Sequence, residues 1–280
     1  MTIARPRRSA LYLPASNARA IEKARTLDAD VVILDLEDAV APEMKAQARA
    51  QAVTAAREGG FGDRELVIRV NAIDTPWGSD DLAAVANAGA DAVLAPKVSS
   101  ADDVAAYRSR LSQVPLWVMI ETCASLFRLD QIAAAGPECL VMGTNDLAKE
   151  MRAPLTPERT AFHPALAMTV AAARSAGIAV LDGVCNAIED PQVVGAACAQ
   201  GVEFGFDGKT LIHPAQIEAC NAAFSPSPEA LAHARAVVAA FADPANAGKG
   251  AIRVEGGMAE RLHLAEAERL IAVAAAIASR

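Results

Sequence analysis

Eight short apolar runs, separated by alanine-rich segments of helical length, constrain this chain more than any other feature. The runs fall at 10–13, 31–36, 66–70, 92–95, 116–120, 140–142, 178–181 and 202–206. The helical segments fall at 18–26, 44–57, 80–88, 101–111, 123–135, 158–175, 191–199 and 214–223. Runs that stay hydrophobic instead of alternating are buried on both faces, the condition of parallel strands joined by crossover helices. Eight such units predict a closed α/β fold, the (β/α)8 barrel of the TIM type, and a chain of 280 residues suits one. The alternative is a doubly wound open sheet, but no Gly-x-Gly-x-x-Gly follows the first run. A hydrophobic content of 53 % with only 4 % aromatics supplies small aliphatic side chains for packing helices closely on such a sheet.

The composition changes at Ser225-Pro-Ser-Pro228. Beyond it come a helical segment at 229–242, a loop rich in Gly, Asn and Pro, a short run at 252–254 and a last helix near 260–278. We therefore expect residues 1–224 to form the barrel with the active site, and 225–280 a C-terminal helical extension serving as lid or oligomerisation element. Its Leu262, Leu264, Leu270, Ile271 and Val273 need covering by the barrel wall or a neighbouring subunit. A formal charge of −8 argues against a nucleic-acid surface. Five scattered cysteines without a Cys-x-x-Cys pair read as thiols of a reducing compartment. The basic start, Met1 to Arg8, is followed by an apolar piece too short for a secretory signal and containing Pro14. No run approaches the roughly 18 apolar residues of a membrane span. The expectation is a cytoplasmic enzyme acting on small molecules, with neither nucleic acid nor membrane as partner.

In a parallel barrel the C-terminal strand ends surround one mouth, so the residues standing there matter most. The runs end in Asp35-Leu36-Glu37-Asp38, Arg69-Val70-Asn71, Pro96-Lys97, Glu121, Asp146, Asp182-Gly183 and Asp207-Gly208-Lys209. Right-handed crossover between the runs ending at Glu121 and Asp146 turns both acids to the same cleft. Two converging carboxylates repel unless a cation lies between them. Acids without His or Cys favour a hard ion, and Mg²⁺ takes one or two carboxylates and completes its shell with water or substrate oxygen. Glu121 and Asp146 are the expected direct ligands, with Glu37 and Asp38 behind the metal-bound waters. The plainer reading pairs these acids with Arg69, Lys97 or helix N-termini. Arg69 offers a fork for a substrate carboxylate, or else clamps Glu37 or Asp38. Lys97 would need a depressed pKa to form a Schiff base, and acids around it act the other way, so it reads as a charge balancer. The stretch 205–214 carries glycines and Lys209 suited to a phosphate or pantetheine arm, while His213 before Pro214 reads as a helix cap. His163 and His233 show no ligand spacing.

Taken together, Arg8-Ser-Ala-Leu-Tyr-Leu-Pro14, Val32-Ile-Leu-Asp-Leu-Glu-Asp-Ala-Val40, Arg69-Val-Asn71, Ala95-Pro-Lys97, Ile120-Glu-Thr122, Gly143-Thr-Asn-Asp-Leu147, Gly205-Phe-Asp-Gly-Lys209 and Ile212-His-Pro214 carry a resemblance. The chain resembles the citrate lyase β-subunit-like family of CoA-ester lyases, within the phosphoenolpyruvate- and pyruvate-utilising barrels. The resemblance implies Mg²⁺ on Glu121 and Asp146, Arg69 on the carboxylate of a 2-oxo acid, and a CoA thioester along the mouth near Tyr12, Arg19 and Lys23. It also implies homotrimers or homohexamers in which a neighbour's C-terminal segment closes the site. Glu260 stands where the family's acid/base Asp is found, and one extra methylene displaces its carboxyl by roughly 1 Å. Asn17 replaces a common Arg that approaches CoA, and Asp182-Gly-Val-Cys185 replaces an Asp-Gly-Pro element. The expected activity is reversible cleavage of a 3-hydroxy-3-carboxyacyl-CoA, such as malyl-CoA or citramalyl-CoA, to a 2-oxo acid and an acyl-CoA. Glu260, Arg69, Glu37 and Asp38 are the expected catalytic residues. The alternatives are hydrolysis of a malyl-CoA-type thioester, or action on an acyl-carrier-protein thioester as a citrate lyase β subunit within a complex.

Overall fold

The computed structural model describes residues 5–111, 113–188 and 190–280; the first four residues of the basic start lie outside these. Eight parallel strands close into a barrel in sequence order: β1 (Ser9–Pro14), β2 (Val31–Asp35), β3 (Glu65–Arg69), β4 (Ala92–Ala95), β5 (Leu116–Ile120), β6 (Cys139–Met142), β7 (Ala179–Asp182) and β8 (Gly208–Leu211). β8 returns to β1 with Ser9 opposite Lys209 and Leu11 opposite Leu211, so no strand edge is left open. Between the strands run α1 (Ala18–Ala24), α2 (Lys45–Glu58), α3 (Gly78–Val85), α4 (Ala101–Leu111), α5 (Cys123–Leu126), α6 (Leu129–Ala134), α7 (Thr144–Met151), α8 (His163–Ala176) and α9 (Pro191–Phe204). The short helix α10 (Ile217–Ala223) follows β8.

Strand alternation divides the core in two. Ala10, Ile33, Leu94, Trp117 and Val141 fill the barrel interior, while Leu11, Val32, Leu34, Ile68 and Val118 face the surrounding helices. At the N-terminal end Arg7 lies 4.6 Å over the Trp117 ring and holds Glu65 in a two-point ion pair at 2.7 Å. The other end is left free for polar side chains.

Three local expectations fail for physical reasons. The run 202–206, expected as the eighth strand, belongs mostly to the last turn of α9, which Gly205 ends at φ +89°. The true eighth strand, Gly-Lys-Thr-Leu, is half polar. It is nonetheless buried, because the Lys209 ammonium lies 2.6 Å from Asp182 and the Thr210 hydroxyl donates to the Asp182 carbonyl at 3.0 Å. Asp207-Gly208-Lys209 therefore begins β8 at the N-terminal end and does not reach the mouth. The helix expected at 123–135 is interrupted between α5 and α6, and α7, absent from the sequence reading, starts immediately after β6.

The described residues fall into two compact units, 7–224 and 225–280, the latter together with residues 5–6. In the second unit α11 (Pro228–Ala242), the antiparallel hairpin β9 (Ala251–Val254) and β10 (Gly257–Glu260), and α12 (Arg261–Ala278) surround a small core of Ala234, Val237, Ile252, Val254, Ala259 and Ala267. Leu264, Leu270 and Ile271 pack on that core, so their cover comes from their own unit; Leu262 stays exposed. Among the described residues no helix is long and apolar enough to cross a membrane.

Barrel closure makes a specific demand at Gly208, where a Cβ would stand 1.9 Å from the Arg7 carbonyl oxygen. Gly208→Ala is expected to destabilise the protein by about 3 kcal/mol, read from the urea midpoint. Gly195, inside α9 with nothing within 4 Å of its added Cβ, gives the opposite sign: Gly195→Ala should stabilise by about 0.5–1 kcal/mol.

Candidate active site

The mouth is built around carboxylates that outnumber the nearby cations. Asp35, at the end of β2 and fully buried, accepts the backbone N–H of Glu37 at 2.8 Å and of Ala39 at 3.0 Å, which folds the following loop back over the strand end. The same carboxylate receives the fork of Arg69 from the end of β3, with Nε at 2.7 Å and Nη2 at 2.6 Å. The guanidinium lies 4.8 Å over the Tyr12 ring. Its remaining Nη1 is 2.8 Å from Glu37 Oε2 and 3.9 Å from Asp38 Oδ2, the former an ion pair without hydrogen-bond alignment. The bidentate face expected to seize a substrate carboxylate is thus spent on Asp35, a partner not anticipated from sequence. Nη1 is the edge left toward the acids.

Glu37 is 8 % exposed and shares that guanidinium with Asp35. Burial raises its pKa to about 8; Arg69 opposes this, while Glu121 and Asp38 add to it. The loop carrying Glu37 is pinned by Lys45, which no motif had marked. From α2 its buried ammonium donates to the carbonyls of Leu36 (2.8 Å) and Glu37 (2.7 Å) and to Asn71 Oδ1 (2.7 Å). Asn71 in turn donates to Leu36 O and Asp81.

A second group forms across β4, β5 and β6. The Lys97 ammonium is 3.3 Å from Glu121 Oε1 and 2.8 Å from Asp146 Oδ1, so one cation touches both acids. Glu121 directly follows β5, and Asp146 lies in the first turn of α7 instead of on the strand. Lys97 adopts a left-handed backbone, φ +56°, which directs its own N–H to Glu121 Oε1 at 2.8 Å. Burial works against its charge, but Glu121 and Asp146 overcome this and hold its pKa above the usual range. It is therefore an ammonium and not a free amine. Glu121 is 1 % exposed, and burial lifts its pKa against the pull of Lys97. Gly143 allows the two acids to approach, since a Cβ there would stand 2.4 Å from Glu121 Cβ and 2.6 Å from Oε2.

These residues fit a divalent ion. Glu121 Oε2 is buried without a hydrogen-bond partner among the described residues, whereas Asp146 is partly open to solvent. A pair of hard oxygen donors with open space beside them is what Mg²⁺ uses. Among the described residues no group of three or more His, Cys, Asp or Glu is placed to hold a metal ion by itself.

Tyr12 points into the barrel beneath Arg69, while Arg19 and Lys23 stand exposed on α1 and form no ion pair among the described residues. Asn17 caps α1 by accepting from Ala20 N–H at 3.1 Å. Glu260 belongs to the C-terminal unit, where its carboxylate caps α12 and its N–H donates to His263 Nδ1 at 2.8 Å. His213 Nδ1 accepts from Ala215 N–H, a capping role.

The raised pKa of Glu37 has a thermodynamic consequence. Its unfolded value is about 4.3, so between pH 5 and 8 the folded state binds more protons than the unfolded chain. Stability of the metal-free protein should fall as pH rises through that window, by up to about 1.4 kcal/mol per pH unit, and level off above it. Denaturation measured from pH 5 to 9 should show this slope, and Glu37→Gln should reduce it, the remainder coming from Glu121, whose pKa burial also raises.

Comparison with known proteins follows the same lines. Residues 8–214 match the family model described as HpcH/HpaI aldolase/citrate lyase. A (3S)-malyl-CoA thioesterase of Cereibacter sphaeroides (strain KD131) is 46 % identical, over 99 % of this chain and 97 % of that protein. An L-malyl-CoA/β-methylmalyl-CoA lyase of Cereibacter sphaeroides (strain ATCC 17025) is 33 % identical, over 96 % and 94 %. The solved structure of CitE from Mycobacterium tuberculosis in complex with magnesium, acetoacetate and coenzyme A superposes with a TM-score of 0.78 at 31 % identity, covering 97 % of this chain and 98 % of that one. With both sequence and fold matched along nearly its whole length, the chain belongs to the HpcH/HpaI aldolase/citrate lyase family.

Proposed function

We propose that the protein is a Mg²⁺-dependent enzyme that hydrolyses a malyl-CoA-type thioester to the free hydroxy acid and CoA. The observation carrying this reading is the gap between 46 % identity to malyl-CoA thioesterases and 33 % to the lyases, at similar coverage. That gap reverses the order expected from sequence, where carbon–carbon cleavage stood first. Glu121 and Asp146 would hold the metal, which as a Lewis acid polarises substrate oxygen. Lys97, now between them, retains a partner in either carboxylate. Glu37, whose pKa burial lifts to about 8, in its ionised form takes one proton from the attacking water as the water oxygen bonds to the thioester carbonyl carbon. The C–S bond then breaks, and CoA leaves as the thiolate and takes that proton back from Glu37. Arg69 Nη1 steadies the ionised Glu37 or the acid end of the substrate. Lys45 and Asp35 keep the Glu37 loop in place. Arg19 and Lys23 are the cations for the CoA phosphates, with Tyr12 and Asp38 lining the approach.

Carbon–carbon cleavage is the second reading, and solved family members named with magnesium and pyruvate or oxaloacetate favour it. The two reactions leave different products. Malyl-CoA with the protein and Mg²⁺ should give malate and free CoA by mass spectrometry, and a chelator should abolish turnover. Glyoxylate with acetyl-CoA would establish the lyase instead; undiminished turnover under chelation would overturn both.

We further propose a homotrimer or homohexamer in which Glu260 of one subunit serves the mouth of another. Glu260→Gln and Glu37→Gln should each be inactive alone. After subunit exchange the mixture should recover a measurable fraction of activity, because hybrid assemblies contain intact sites. No recovery despite demonstrated exchange would place Glu260 outside the shared site.

A further inference from the structure

The helix-facing side of β7 and β8 carries a second buried charged group that the mouth does not use. Asp182, Lys209 and Arg159 are 0 %, 1 % and 5 % exposed. Lys209 Nζ lies 2.6 Å from Asp182 Oδ2, and Arg159 Nη1 lies 2.6 Å from Oδ1. Burial alone would raise the Asp182 pKa, but the two cations outweigh it and hold the carboxyl below the usual range. One carboxylate therefore answers two cations. Arg159 Nε donates to Gln200 Oε1 at 2.6 Å, but its Nη2 is buried without a hydrogen-bond partner among the described residues. Exposed Glu158 forms no ion pair with either cation among the described residues. Arg159 also holds a left-handed backbone at φ +52°, uncommon for a residue with a long side chain, and costly unless the surroundings fix it.

Both cations contribute to the wall of a cavity of about 470 Å³ between α9, the loop after β7 and the segment ahead of α8. That is the size range of small-molecule sites. Its other walls are mostly apolar, with Leu155, Val193 and Ala197 among them, and exposed Glu158 and half-buried His163 also stand on the lining. A buried excess of positive charge beside an apolar space is unfavourable when empty and complementary to one kind of guest. None of Glu37, Arg69, Lys97, Glu121 or Asp146 lines this cavity.

We infer that the cavity binds a small organic anion, a monocarboxylate with a short apolar chain. Its charge is met by Arg159 and Lys209, and its chain lies against Leu155, Val193 and Ala197. None of the residues proposed for the reaction lines this site, which does not depend on whether the enzyme is a hydrolase or a lyase.

Hexanoate and the neutral hexanamide, titrated calorimetrically into the full protein, provide the test, together with crystals soaked in 6-bromohexanoate. Hexanoate should bind, hexanamide should bind far more weakly, and an anomalous bromine peak should lie in the cavity. Arg159→Gln should weaken hexanoate by about 10–100-fold, the loss expected for a charge-assisted hydrogen bond. Ala197→Phe, which fills the cavity and leaves the charges intact, should abolish binding, and it preserves the test if Arg159→Gln does not fold. Absence of binding at millimolar hexanoate, equal affinity for the amide, a bromine peak at the barrel mouth, or unchanged affinity in the variants would overturn the proposal.

Discussion

A carboxylate withdrawn from water must find positive charge, and at the mouth of this barrel Asp35, Glu37, Glu121 and Asp146 draw, among the described residues, on two ion-pairing cations, Arg69 and Lys97. Everything else in the site follows from that shortage. Arg69 commits its fork to Asp35, so Glu37 is left with one misaligned nitrogen, too little to offset the burial that lifts its pKa to about 8. Lys97 is stretched between Glu121 and Asp146 and still leaves Glu121 Oε2 without a partner. Such a constellation is unfavourable for folding alone, since each buried acid raises the next one's pKa. It is favourable once a divalent ion arrives, because one ion offsets two carboxylates.

The barrel itself was legible because its strands are buried on both faces and read as unbroken apolar runs, as at 92–95 and 116–120. β8 was not, because its buried Lys209 is neutralised by an acid from another strand, information that local hydrophobicity does not contain. The false strand at 202–206 was a helix end ahead of Gly205. In the candidate site, Glu37, Arg69, Lys97, Glu121 and Asp146 stood out as charges at the ends of apolar runs. Their pairing was legible in part: Arg69 against Glu37 or Asp38 and Lys97 as the balance of the acids stood among the readings, but the two-point pair of Arg69 with Asp35 did not. Asp35 as the partner of Arg69 depends on β2 and β3 lying in register, with Asp35 opposite Arg69. Lys45 and Gly143 act through tertiary proximity alone, one from the interior of a helix and the other by lacking a side chain.

The two buried charge groups differ in sign. The mouth is short of cations, whereas the outer side of β7 and β8 has one cation too many around Asp182. The acid-rich mouth suits a metal, and under either proposed reading the same residues would serve thioester hydrolysis or carbon–carbon cleavage. The difference between those outcomes then rests on whether water or the substrate's own hydroxyl presents its proton to the base, a matter of positioning more than of new residues.

The central claim is that Glu121 and Asp146 form a divalent site whose charge Lys97 balances in the absence of metal. Calorimetric titration of Mg²⁺ into the wild type, Lys97→Met and the Glu121→Gln/Asp146→Asn double variant tests this most directly. The account predicts one site per chain in the wild type, tighter binding in Lys97→Met because the competing ammonium is gone, and none in the double variant. Equal Mg²⁺ affinity in all three proteins, or weaker binding in Lys97→Met, would contradict it.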